Sequence, residues 1–279
     1  MKTTNPVLAR LGQAAERERA AGYPPAGPYG QPGIGQPAGY GQQQPYPTGE
    51  AYPAAPPTVQ PMTIDDVVVK TVTLLAIVGV TGAAAWILVP DALLGPLWIG
   101  AALIGLVLGL VISFSRMANP ALVVTYAVVE GVFVGLVSKF FENAYDGIVV
   151  KAAVSTFGIF FLMAILYRAR VIRATPRFVR AIIGAMIGLF ALLMLNLVLS
   201  LFGVNLGLRD GSPLSIGLSL VIIVVAALSF ILSFHEVEEG VRMGLPQRYS
   251  WVAAFGILVS LIWLYLEILR LLSYFQGDD

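Results

Sequence analysis

The sequence predicts an all-α membrane protein, a seven-transmembrane-helix bundle behind a disordered N-terminal tail. Three observations predict it. Of 279 residues, 57% are hydrophobic and only 12% are charged, where a soluble domain carries roughly 25% charged residues. The apolar residues gather into seven runs, each near the ~20 residues that a helix needs to cross the hydrocarbon core. Residues 21–61, by contrast, are low-complexity sequence rich in Pro, Gly, Gln and Tyr. The spans read as helices because an open sheet cannot satisfy its backbone in lipid, and the alternation of a β-barrel is absent.

Residues 1–22 are polar and mixed in charge, with a helical pattern over 6–21 and no apolar core. They do not read as a signal peptide, so the first span is expected to direct insertion itself. The following stretch is punctuated by Tyr23, Tyr29, Tyr40, Tyr46 and Tyr52. Its composition cannot build a core, and disorder with polyproline-like pieces is expected. A solvated tail fits, and so does a segment that recruits a membrane-protein partner. Residues 1–61 are therefore taken as a cytoplasmic tail and 62–279 as the membrane domain.

The runs cover 68–89, 93–114, 121–141, 148–167, 178–204, 214–234 and 251–275. Basic residues concentrate in alternate links: Arg116 in the second, Arg168, Arg170, Arg173, Arg177 and Arg180 in or beside the fourth, Arg242 and Arg248 in the sixth. The remaining links carry Asp91, Glu142 with Asp146, and Arg209 with Asp210. The positive-inside rule places the arginine-rich links in the cytoplasm, with the N-terminus inside and the C-terminus outside. Lys139 and Lys151 fall on the other side, where they can snorkel at the interface. The five-arginine link suits an orientation signal, and alternatively a site for anionic headgroups.

Gly105 with Gly109, Gly131 with Gly135, and Gly184 with Gly188 are each four apart. Such pairs stack on one helix face and let backbones approach closely, so three of them argue for a compact bundle. Asn196, deep in the fifth span, is expected to bond across helices.

Glu267 is the most informative residue. It lies well inside the seventh span, where an ionisable group is costly and marks an ion path, a proton relay or an obligatory ion pair. Ser260, Trp263, Glu267, Arg270 and Tyr274 are spaced three and four apart and form one polar stripe that should face the bundle interior. Arg270, three residues on, can pair with Glu267 within the helix. Glu130 repeats the anomaly in the third span, with Tyr126 one turn earlier as a donor. It is a candidate for cavity lining or ion contact. At the end of the sixth span, His235 stands with Glu236, Glu238 and Glu239, a group that titrates near neutral pH through its histidine. His235-Glu-Val-Glu-Glu is not a zinc-protease motif, because the second histidine is missing. One histidine and no cysteine exclude disulfides and multi-ligand soft-metal sites. With no phosphate loop and no Ser/His/Asp set, no enzymatic activity and no cofactor are expected, and nothing speaks for nucleic acid.

Asn119-Pro120, Tyr126, Glu130-Gly131 and Gly135, together with Trp263-Leu-Tyr-Leu-Glu267-Ile-Leu-Arg-Leu-Leu, resemble the Bax inhibitor-1 family, in a bacterial branch with an added tail. The resemblance covers residues 62–275. It implies a bundle whose last helix is central and wrapped by the other six, a calcium leak sensitive to pH, and a proton sensor of two acids from the last two helices. By position Glu267 is the seventh-helix acid, with His235 or its neighbour Glu236 as the sixth-helix partner. Aspartate is usual at both family positions. A bound calcium at Glu267 and Glu236 would follow. For antiparallel helices that meeting requires a long last helix from about Pro246, with Glu267 near mid-membrane. The expectation is a cation leak in the bacterial plasma membrane gated by protonation, or alternatively a non-transporting adaptor in stress response or membrane quality control.

Overall fold

Polar side-chain caps mark the start of four of the membrane helices. The computed structural model describes residues 60–115, 119–204 and 206–277. The expected tail disorder, its tyrosines and Arg116 lie outside these residues. Helix α1 (Ile64–Leu88) starts at a capping box. The Thr63 side chain accepts from the Asp66 amide while the Asp66 carboxylate accepts from the Thr63 amide. After a short 3₁₀ turn at Asp91–Leu93 comes α2 (Leu94–Phe114). Helices α3 (Pro120–Ala144), α5 (Pro176–Leu201) and α6 (Pro213–Arg242) repeat one device: a capping Asn119, Thr175 or Ser212, then proline at the first helical position. Proline has no amide to leave unpaired there. Helix α4 (Ile148–Arg168) follows Gly147, whose φ of 72° lies in the left-handed region. Helix α7 (Ser250–Gln276) follows a 3₁₀ turn at Gln247–Tyr249. These seven are long and apolar enough to cross a membrane.

The apolar runs are found in order, with shifted ends. Helix α6 runs to Arg242, beyond the apolar run that ends at 234. Hydropathy reports bilayer thickness, whereas the Glu-rich end keeps helical propensity outside it. Helix α5 stops at Leu201 rather than 204, and Gly203 follows at φ 79°.

The last helix is the centre of the bundle. Fourteen of its 27 residues are buried, against two of 26 in α5. It packs against α1, α3, α4 and α6. Those four make its main contacts, while α2 packs chiefly on α3 and α5 chiefly on α6; Ile112 of α2 and Leu189 of α5 still join clusters that include residues of α7. The third-span glycines do what their spacing implies. Gly131 and Gly135 lie against Gly82 of α1 so closely that a Cβ on Gly135 would stand 2.7 Å from the Gly82 Cα. Gly184 and Gly188 do not: nothing lies within 4 Å of a Cβ at either. Asn196 also departs from expectation, since its buried Oδ1 has no hydrogen-bond partner.

Two links fasten the helix ends. Pro61 forms an antiparallel bridge with Pro246, and the Met62 amide donates to the Leu245 carbonyl at 2.7 Å. Gln247 Nε2 donates to Asp66 at 2.7 Å, and Lys70 reaches the Gln247 carbonyl and Ser250 Oγ. Elsewhere Lys139 joins α3 to the α1–α2 link through Asp91 at 2.9 Å and the Val89 carbonyl at 2.7 Å.

Candidate functional site

On helix α7, Ser260 and Glu267 bond to α6. Ser229 donates to Ser260 at 3.4 Å. Trp263 packs on the cluster of Leu189, Ile222 and Val225. One turn further along α7 stands Glu267, only 2% exposed. Ser219 of α6 donates to its Oε1 at 2.7 Å, and Arg270 donates to its Oε2 at 2.8 Å. The i,i+3 ion pair read from the sequence is therefore present, with an additional hydroxyl from the neighbouring helix. A carboxylate with both oxygens bonded to charged or hydroxyl donors meets the requirement for burying such a group.

Arg209, in the α5–α6 link, faces the same end of the pair. The residue as a whole is exposed, but its guanidinium is partly withdrawn from water. That withdrawal, followed by the nearness of Arg270, lowers its pKa, while Glu267 and Tyr274 pull the other way. The end of α7 thus gathers two guanidiniums around one carboxylate. Tyr274 closes the group near Gly211, its ring 3.8 Å from where a Cβ would stand.

A family model described as Bax inhibitor 1 like matches residues 5–277. The chain belongs to the Bax inhibitor 1 like family. No curated protein matches it.

In this Bax inhibitor 1 like chain, His235 and Glu236 do not meet Glu267. Sixteen residues of α6 separate Ser219 from His235, about 24 Å at 1.5 Å per residue. The register set by Ser229–Ser260 and Ser219–Glu267 brings His235 level with the first turns of α7 instead. The cause is the short link between Arg242 and Ser250, which turns α7 straight back so that the end of α6 faces the beginning of α7. Glu267 accordingly lies in the half of α7 nearer the α5–α6 link and the C-terminus. A shared calcium site at Glu267 and Glu236 does not form, and among the described residues no three His, Asp or Glu converge to hold a metal.

His235 has its own surroundings. Its Nε2 is 3.6 Å from Glu239 Oε2, and the Tyr167 hydroxyl of α4 donates to Glu238. His235, Glu238, Glu239 and Arg242 line one shallow pocket, while Glu236 is exposed on the same helix end. Below it, Phe160 meets Phe230 and Phe234 edge-on at 5.2 and 5.7 Å, and Phe230 stacks on Phe234 at 6.3 Å.

Glu130 and Tyr126 are together but separate from Glu267. The Tyr126 hydroxyl faces the Glu130 carboxylate, and its ring meets Phe255 of α7 edge-on at 4.9 Å. Gly105 of α2 makes room for the acid, since a Cβ there would stand 2.6 Å from Glu130 Oε2. Gly109, one turn on, lies under the Tyr126 ring, 3.5 Å from its own Cβ position. That glycine pair is thus spent on a side chain, not on a backbone crossing.

Sequence reasoning missed Ser219, Arg209 and the bond between Ser138 and Tyr265 at 2.7 Å. A signal for Ser219 existed: Ser215 and Ser219 are spaced one turn apart on α6 and both are buried.

Proposed function

We propose that this membrane protein is a pH-sensitive cation leak channel, with Glu267 as the protonation-dependent gate. The observation that carries the reading is the position of that carboxylate, 2% exposed on the most buried helix and held by partners from its own helix and from α6. Ionised, Glu267 anchors Arg270 over the interface between α6 and α7. Protonation removes that anchor and leaves Arg270 beside Arg209, two like charges in a poorly solvated place. Arg270 then swings toward the open end, and the serines of α6 at 215, 219 and 229 border a hydrated route. Calcium is the cation we favour, because carboxylate and hydroxyl oxygens suit a hard ion. No enzymatic step and no cofactor enter this reading. By the positive-inside rule the gate lies toward the outside of a bacterial plasma membrane, with the N-terminus in the cytoplasm.

The test is flux from proteoliposomes over a pH series, with calcium against potassium and sodium. Glu267→Gln is expected to abolish the pH response. An unchanged leak and an unchanged response overturn the gate.

A second reading has one observation in its favour. Both oxygens of Glu267 are already satisfied, as in a purely structural ion pair. The bundle is then an anchor, and residues 1–60 recruit partners for stress response or membrane quality control. Deleting 1–60 separates the two: the channel keeps its flux, whereas the adaptor, which carries no flux, loses its partners.

A further inference from the structure

We propose that the turn between α4 and α5, with the start of α5, binds the phosphate of anionic phospholipid headgroups. Arg168, Arg170, Arg173, Arg177 and Arg180 fall within thirteen residues that contain no Asp or Glu. All five are exposed. Among the described residues none forms an ion pair. Their one side-chain hydrogen bond runs from Arg180 Nε to the Pro176 carbonyl, 3.1 Å away. Acids do stand at this end of the bundle, but they are engaged elsewhere: Glu238 accepts from Tyr167, and Glu239 faces His235.

An orientation signal needs only positive charge, which lysine supplies equally well. This cluster is arginine throughout, and the guanidinium fork matches phosphate oxygens two at a time. The local helix also lacks an anion. The first turn of α5 contains no acidic residue, and Arg177 and Arg180 set cations against the positive end of the helix dipole. A phosphate placed there relieves both. Arg170, at φ 56°, is the one non-glycine residue with positive φ among those described. It turns the chain sharply, so that Arg168 and Arg173 flank one compact corner.

The surroundings identify a lipid as the source of that phosphate. Helix α5 packs chiefly along α6, and its outer face continues from the arginines into exposed Ile183, Ile187 and Phe190. Acyl chains lying along those residues bring a headgroup level with Arg177 and Arg180. Val171, 68% exposed, supplies an apolar contact inside the turn itself.

The test uses the full-length protein, purified in neutral detergent with phosphatidylglycerol or phosphatidylcholine. Retained lipid is counted by mass spectrometry and the unfolding midpoint is measured. The wild type is expected to retain phosphatidylglycerol preferentially and to gain thermal stability from it. R173Q/R177Q/R180Q should bind it about a hundredfold more weakly, given about 1 kcal/mol for each basic group at an anionic surface. R173K/R177K/R180K keeps the charges and hence the orientation, and should fall between the two. Orientation is followed by labelling a single cysteine at Asp146→Cys, since the chain has none of its own. Undiminished retention by the lysine variant overturns the guanidinium site. So does equal retention by the glutamine variant, or an equal midpoint gain from inorganic phosphate alone.

Discussion

Gly131 with Gly135 in α3 and Gly184 with Gly188 in α5 share one sequence spacing, and the fold uses them in opposite ways. The α3 pair meets the backbone of α1. A Cβ on Gly131 would stand 2.8 Å from the Val78 carbonyl oxygen, and one on Gly135 2.7 Å from the Gly82 Cα. The α5 pair meets no atom within 4 Å. What differs is the partner. Helix α1 answers with a glycine of its own, Gly82, whose Cβ position lies 3.0 Å from the Gly131 carbonyl oxygen. Small residues permit close approach but do not cause it. A crossing forms where two small faces coincide and the neighbouring side chains interdigitate. The inner crossing of α1, α3 and α7 does this through Leu74, Val78, Val123, Ala127 and Leu258. The outer helix α5 contributes one buried contact, Leu189, to a smaller cluster.

The largest expected effect breaks the inner crossing and spares the outer helix. Gly135→Leu inserts a branched side chain where backbone already stands, and should cost about 3 kcal/mol or more. Gly188→Leu points into open space and should stay within about 0.5 kcal/mol of wild type. Thermal unfolding in detergent, with the monodisperse yield, measures both. Equal losses in the two variants would show that α5 is packed in the membrane against something its neighbours here do not supply.

A smaller effect sharpens the same contrast at the polar pair. Removing Arg270 leaves Glu267 buried beside α6 with Ser219 alone. Loss of a fully buried partner costs roughly 3–5 kcal/mol. The Arg270 side chain is 24% exposed, so about 2 kcal/mol is expected for Arg270→Met. Glu267→Gln keeps an acceptor for Ser219 and should cost less. Combining the two should recover part of the loss, because an amide needs no counter-ion. A double variant whose loss is the sum of the single losses would mean that the pair is not coupled.

These contrasts explain what the sequence could reveal. The spans were legible because apolar length is a local property. Asp65 and Asp66 lie ahead of the first apolar run, yet they belong to α1 as its acidic first turn. Glu267 was legible because a carboxylate in an apolar run is conspicuous, and Arg270 because three residues along a helix fix their neighbourhood. The companion from α6 was not, because it depends on the register between two helices. That register is set by the short link Met243–Tyr249: α7 turns straight back along α6, so a residue far along α7 meets one comparably far back along α6. Glu267 therefore meets Ser219, while His235 stays near the turn. The fate of the glycine pairs was hidden for a related reason: a spacing describes one helix, and a crossing needs two.

The smallest effect lies in the α5–α6 link, at the open end beside the ion pair. Asp210 is exposed, and its carboxylate accepts the Ser212 amide at 3.0 Å, just ahead of α6. That bond, with a further one from the Ser212 side chain, holds the Asp210 pKa below the usual carboxylate range. The sign follows from linkage: a depressed folded-state value stabilises the fold above the unfolded pKa, near 4, and the gain disappears as pH falls through the folded value. Asp210→Asn should therefore leave stability near pH 7 slightly lower and flatten its decline below about pH 4. The same substitution should not alter the pH response of cation flux, because Asp210 touches neither Glu267 nor Arg270. If Asp210→Asn shifts that response while Glu267→Gln does not, the sensing group sits in the link and not on the central helix.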